Sequence, residues 1–223
     1  MLLPLLILLS VSSYSSTRIF EGVARDEGVV AYYQRFSVVE EKDNYKRGFI
    51  ELWEPSGRRL GYKKIVFKNN PYLPDVYLKE FRTKEELEVE WGIGKVKVRD
   101  YNRVKRTEKS YEFSTSRTKI FDMGVHNFII DHWDEILEGK EFEVSMFLPQ
   151  FGDWKNIILR KAWSTDGKVG IEFARGNIHE MFFHSKNQIT YTEKDKSLVH
   201  YRGLSLVKDG KGRYLEVNLD YEE

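Results

Sequence analysis

One stretch of the chain, Asp122–Leu148 (DMGVHNFIIDHWDEILEGKEFEVSMFL), carries the only convincing helical period after the N-terminus, while nearly everything on either side alternates with period two. At 100° per residue, Val125, Phe128, Ile129, His132, Trp133 and Ile136 share a broad arc, with Ile130 and Leu137 at its edges. Asn127, Asp131, Asp134, Glu135 and Glu138 fall opposite. Asp122 is placed to cap the first turn with its carboxylate, and Gly139 follows the last apolar position as a left-handed stop. The helix therefore spans about residues 124–138. A helix of roughly 14 residues is not stable alone, so its apolar arc must dock on a sheet made by the rest of the chain. His132, in the middle of that arc, reads as a buried histidine bonded to backbone, with a ligand or proton-transfer role as the sharper alternative.

The strands follow from alternation and turn chemistry. Arg18–Asp26 and Val29–Val39 pair around Glu27-Gly28, with Val30, Tyr32, Phe36 and Val38 on one face and Gln34 the exception. Gly48–Trp53 and Leu60–Phe67 pair across Glu54-Pro55-Ser56-Gly57, and Asn69–Asp75, with Pro71 and Pro74, reads as a rigid crossing loop. Later runs at Glu141–Leu148, Ile157–Trp163, Gly170–Ala174, Ile178–His184 and Ile189–Thr192 follow, with turns at Asp166-Gly167 and Lys194-Asp195. A last hairpin turns at Asp209-Gly210-Lys211-Gly212, setting Leu206 against Leu215 and Leu204 against Val217.

Lys84–Tyr101 gives the sharpest register. Leu87, Val89 and Trp91 alternate with Glu86, Glu88 and Glu90; beyond Gly92-Ile93-Gly94, Val96 and Val98 alternate with Lys95, Lys97 and Arg99. Setting Glu90 against Lys95, Glu88 against Lys97 and Glu86 against Arg99 also sets Val89 against Val96 and Leu87 against Val98. One face becomes apolar and the other a charge ladder of about 0.2–1 kcal/mol per pair. A slip of one residue would destroy both faces. In all, roughly twelve strands spaced by about 8–15 residues, without βαβ alternation, predict a mainly β chain. The architecture expected is a curved antiparallel sheet (half-barrel, roll or open barrel) with one central helix against it.

Met1–Val11 is an uninterrupted apolar run followed by Ser12, Ser13, Ser15 and Ser16, as in the core and cleavage zone of a secretory signal peptide, although no Lys or Arg precedes it. The run is shorter than the roughly 20 residues a membrane span needs. Residues 1–16 are read as a signal peptide and 17–223 as a single domain, exported to the periplasm or outer envelope, soluble or peripherally attached. With no cysteine, disulfides, thiolate metal sites and a lipid-modified cysteine are excluded. A net charge of +1 with 32% charged residues points away from a nucleic-acid partner.

Chemistry is sparse. The sequence carries no G-x-S-x-G elbow, Walker loop or H-E-x-x-H motif, and neither a metal nor a cofactor is expected. His179 and His184 resemble a zinc motif with one residue too many, and strand alternation sends them to opposite faces. Asp131, Asp134 and Glu135 read as solvated. Arg99–Lys119 is basic, with Arg103, Lys105 and Arg106 at its centre and Tyr101, Tyr111 and Phe113 interleaved. It reads as a solvated strand face or as the contact for an anionic lipid head group or acidic glycan.

The run Asp122–Phe128, with Trp133 and Leu137-Glu138-Gly139 after it, resembles a motif of uncharacterised exported proteins of Gram-negative bacteria, distant relatives of the DUF3108 group. Phe20–Ala24, Leu73-Pro74-Asp75, Tyr201–Ser205 and Tyr214–Tyr221 fit in the same order; the motif's usual Phe-Asp is Val125-His126 here, which removes the acid. The resemblance implies a spiral or open-barrel antiparallel fold and an envelope location, and it implies no reaction. A remoter likeness to envelope lipoprotein carriers, which hold acyl chains in a curved sheet capped by a helix, rests on architecture alone.

Three functions are then weighed. The first is a non-enzymatic envelope protein holding a lipid or other apolar or amphipathic molecule between sheet and helix, lined by Phe128, Ile129, His132 and Trp133, with Arg103, Lys105 and Arg106 at the mouth. The second is a structural domain, or one that binds an envelope protein, whose interior is simply packed. The third is an unrecognised hydrolase using His126 or His132 with Asp131 or Glu135.

Overall fold

The structure, a computed structural model, describes residues 15–102, 105–114, 117–149, 151–175, 187–209 and 212–222. The first half of the chain is a meander: β1 (Ser15–Asp26), β2 (Val29–Glu41), β3 (Asn44–Trp53), β4 (Arg59–Val66), β5 (Asp75–Glu80), β6 (Glu85–Gly92), β7 (Lys95–Tyr101) and β8 (Arg106–Glu112). A crossing segment follows, with β9 (Lys119–Ile120), α1 (Gly124–Asp131) and α2 (Trp133–Leu137). The chain then meanders back through β10 (Phe142–Leu148), β11 (Asp153–Thr165), β12 (Lys168–Arg175), β13 (Gln188–Thr192), β14 (Leu198–Lys208) and β15 (Tyr214–Glu222).

All fifteen strands form one sheet, in the order β8-β7-β6-β5-β4-β3-β2-β1-β15-β14-β13-β12-β11-β10-β9. Neighbours are antiparallel except β9 and β10, which run parallel over Lys119 and Ile120. The halves are joined where β1 pairs with β15, with Val23 opposite Asp220. Of the expected architectures an open antiparallel barrel is therefore what forms, with β5, β8 and the two-residue β9 as strands that the sequence reading did not mark. Two-residue turns with positive φ, Glu27-Gly28 (47° and 84°) and Lys42-Asp43 (52° and 64°), set the first two hairpins.

The sheet ends, β8 and β9, do not pair, so the barrel is open along one line. Aromatic side chains fill the seam. The Trp91 ring of β6 packs on Phe113 (5.7 Å), Phe121 (5.5 Å), Phe147 (5.6 Å) and Trp154 (5.8 Å), so β6 and the end of β8 meet β10 and β11 through side chains. The two-proline loop expected at Asn69–Asp75 supports the same region. Pro74 O accepts Trp91 Nε1 (2.8 Å), Tyr72 O accepts the Phe121 N–H (2.9 Å), and Pro71 O accepts Asn127 Nδ2 (2.8 Å).

Two registers differ from the sequence reading. In the β6–β7 hairpin, Glu88 faces Arg99, Val89 faces Val98, Glu90 faces Lys97 and Gly92 faces Lys95, a slide of two residues. The turn is the pair Ile93-Gly94, with Gly94 at φ 66°, a tighter closure than the four-residue loop expected. Because side chains alternate with period two, such a slide keeps both faces: Val89, Val96 and Val98 are buried, and the opposite face remains a charge ladder in which Arg99 meets Glu88 (2.6 Å). All three expected rungs are replaced: Glu88 takes Arg99, Glu90 takes Lys97, Lys95 falls opposite Gly92, and Glu86 pairs with Lys79 (2.6 Å). In the last hairpin, Leu204 faces Glu216 and Val217 faces Gly203, with a register irregularity beyond Leu204.

The helix also differs. The expected single helix is two, α1 and α2, meeting at His132 (φ −113°, ψ 21°), although His132 N still donates to Phe128 O and Ile136 N to His132 O. Every residue of α1 from Gly124 to Ile130 is buried, so it is a plug inside the curved sheet rather than an amphipathic cover. Asn127, assigned to the polar face, is 0% exposed. Its Oδ1 accepts the Tyr45 N–H (2.7 Å) and its Nδ2 donates to Tyr45 O (2.9 Å), so the side chain completes the edge of Tyr45 as a neighbouring strand would. Met123, not Asp122, holds the N-cap position, without a side-chain cap bond. Gly139 does end α2, at φ 92°, its N–H reaching Ile136 O (3.0 Å).

The reading of residues 1–16 as a signal peptide lies outside the described residues except for Ser15 and Ser16, which open β1 opposite Glu41 and Glu40. His179, His184 and the strand expected at Ile178–His184 also lie outside them.

Candidate functional site

The inner face of a curled sheet has more area than one short helix can cover, and the uncovered part encloses a cavity of about 300 Å³. Its walls come from both halves of the chain. Ile50, Leu52, Val76, Leu78 and Leu87 of β3, β5 and β6 face Met146, Ile157, Phe173, Ile189 and Leu219 of the returning strands. The floor is the start of α1, from Phe121 to His126. Phe151 and Leu204 line the space while 45% and 39% exposed, so one end of it meets solvent. A concave, largely apolar space with a few placed polar groups is the usual form of a small-molecule site.

Each polar group in the wall is engaged. Gln34, the exception in the alternation of β2, points inward and donates from Nε2 to Tyr221 OH (2.8 Å). Tyr32 OH and Ser205 Oγ share a hydrogen bond (2.9 Å), and burial pushes the Tyr32 phenol up to about 12. Tyr201 OH donates to Leu204 O (2.9 Å). Lys63 of β4 and Asp122, just before α1, form an ion pair with both carboxylate oxygens (2.9 and 3.0 Å), at side-chain exposures of 10% and 8%. Asp122 Oδ1 also accepts the Met123 N–H (2.8 Å).

His126 Nε2 lies 3.1 Å from Asp43 O and Nδ1 lies 3.2 Å from Tyr191 OH. A carbonyl can only accept, so Nε2 carries the proton and Nδ1 accepts the tyrosine hydroxyl. The ring stacks on Tyr45 at 3.6 Å. Burial, partly offset by the Asp43 carbonyl, lowers the imidazole to about 3, so it is neutral across the physiological range.

Apart from His126, the residues singled out from sequence lie elsewhere. Phe128, Ile129 and Trp133 are packed core, at 2%, 0% and 4% exposed, and are not among the cavity's lining residues. His132 is at the junction of α1 and α2, its side chain 29% exposed, between Phe128 and Phe142 (ring centroids 4.5 and 4.6 Å), with Nδ1 2.9 Å from Glu135 Oε1. Asp131 accepts from Asn44 Nδ2 (2.7 Å) and Tyr72 OH (2.9 Å). Lys105 and Arg106 are exposed at the start of the edge strand β8 and do not border the cavity; Arg103 lies outside the described residues. The lining residues that sequence reasoning missed are Lys63, Asp122 and the tyrosines. Only Gln34, by breaking the pattern of its strand, gave a signal. Among the described residues no group of three or more acidic or histidine side chains is placed to hold a metal ion, and no helix is long and apolar enough to cross a membrane.

No protein-family model and no curated protein matches this chain. Among solved structures it is similar to a β-barrel-like protein of a domain of unknown function, DUF1849, from Brucella abortus, with 8% identity over 95% of this chain and 98% of that one and a TM-score of 0.39. A similarity that distant assigns no role to any residue.

Proposed function

We propose that this chain is a non-enzymatic, exported protein of the cell envelope, as its likeness to the DUF3108 group implies, and that it holds an apolar or amphipathic molecule inside its curved sheet. The observation that carries the reading is the cavity of about 300 Å³ between the two meanders, walled mainly by aliphatic and aromatic side chains. The ligand sits beside the start of α1, not against the Phe128–Trp133 surface. A packed interior would instead have favoured a structural or interaction domain. The two histidines weighed for a hydrolase are not arranged for one: both ring nitrogens of His126 are engaged without a carboxylate, and the His132–Glu135 pair lies away from the cavity.

Native mass spectrometry of protein purified under mild conditions, compared with a solvent-extracted sample, tests the reading. The expected result is a discrete added mass that extraction removes and that Leu78→Trp, which fills the cavity, prevents from binding while the far-ultraviolet circular dichroism is unchanged. A bare mass from envelope-derived protein, with no uptake of added lipid extract, would sink the reading in favour of an interaction domain.

A further inference from the structure

We propose that the cavity selects a ligand whose polar end is uncharged, such as a fatty alcohol or acylglycerol, over one with a free carboxylate, and that the Lys63–Asp122 pair sets this preference; the inference rests on the ligand-binding reading above. Among the described residues lining the cavity only Lys63, Asp122 and His126 are candidates for charge. His126 is held neutral by burial. Lys63 and Asp122 cancel, bound to one another through both carboxylate oxygens. The other polar side chains described in the wall, Tyr32, Gln34, Tyr201 and Ser205 among them, are neutral donors and acceptors.

A carboxylate entering this space loses its water and meets no net positive charge. What Lys63 would gain from it, Asp122 opposes across nearly the same distance, and burying an uncompensated ion is strongly unfavourable. A hydroxyl or ester faces no such penalty. The Lys63 ammonium has three donors and is not saturated by one carboxylate, so it can donate to a neutral oxygen, while Asp122 can accept from a hydroxyl. A cavity built for a fatty acid would present an unpaired lysine or arginine. This one pairs its lysine.

Competition between decanol and decanoate, equal in chain length, tests the inference by native mass spectrometry and calorimetry at about pH 8, where a fatty acid head is ionised. The wild type is expected to prefer decanol by at least about tenfold. Asp122→Asn keeps a side chain that tolerates the positive φ of 50° and can still accept the Met123 N–H. It leaves Lys63 unpaired, and is expected to reverse or abolish the preference. Lys63→Gln, which leaves the acid alone, should widen it, and keeps the test open if the first variant does not fold. A wild type that binds decanoate as well as decanol, or a ratio that neither variant moves, overturns the inference while leaving the ligand reading intact. Failure of the wild type to bind either compound overturns both.

Discussion

Replacing Asn127 tests how α1 is held in the sheet. The side chain makes three hydrogen bonds: from Tyr45 N–H (2.7 Å), to Tyr45 O (2.9 Å) and to Pro71 O (2.8 Å). At 0% exposed, it has no water to replace it. Asn127→Ala orphans one buried N–H, at about 1–3 kcal/mol, and deprives two carbonyls, which bear under-satisfaction better. Adding the small void, the expected loss is about 4 kcal/mol, roughly a thousandfold in the folding constant. That is a large part of the about 5–15 kcal/mol that a domain usually has. Asn127→Asp keeps the shape and the bond from Tyr45 N–H but turns both donations into oxygen–oxygen contacts. Its carboxyl, buried against carbonyls, would have a pKa raised above the unfolded value of about 3.9, so the folded state holds the extra proton. That variant should be least destabilised below about pH 4 and lose further stability as pH rises toward neutrality. Urea denaturation followed by tryptophan fluorescence measures both effects. If Asn127→Ala unfolds within about 1 kcal/mol of the wild type at the same slope, the side chain is not the clasp described.

Two further outcomes follow from the same geometry. With His126 lowered to about 3 when folded and near 6.5 when unfolded, its contribution is fully present above about pH 6.5 and is lost on acidification, by at most about 1.4 kcal/mol per pH unit down to about pH 3. The stability gap between wild type and His126→Gln should therefore narrow as pH falls from about 7 to 4, and a gap that stays constant would exclude a neutral buried ring. At Gly124 an added Cβ would collide with the Tyr72 backbone carbonyl, so Gly124→Ala should cost about 1–3 kcal/mol by forcing α1 off the proline loop. A thermal melt with Tm unchanged would mean that the loop yields.

Alternation along the chain was enough to determine the antiparallel sheet, the inward faces and most hairpins, because those depend on neighbours two residues apart and on turns of a few residues. It could not separate the two registers of Lys84–Tyr101, since sliding by two preserves every face, and the tighter Ile93-Gly94 turn decided between them. The helix was legible as a helix but not in its surroundings. A hydrophobic arc assumes solvent on the far side, whereas the partners that bury Asn127, Tyr45 and Pro71, stand 82 and 56 residues away. The cavity was the least legible feature. Whether inward side chains meet and pack or stand apart depends on the curvature of one sheet whose two halves are joined by the pairing of β1 with β15. The same curvature brings Lys63 of β4 onto Asp122, 59 residues on. Local pattern fixed which side chains point inward, and only the curling of the sheet determined which of them border empty space.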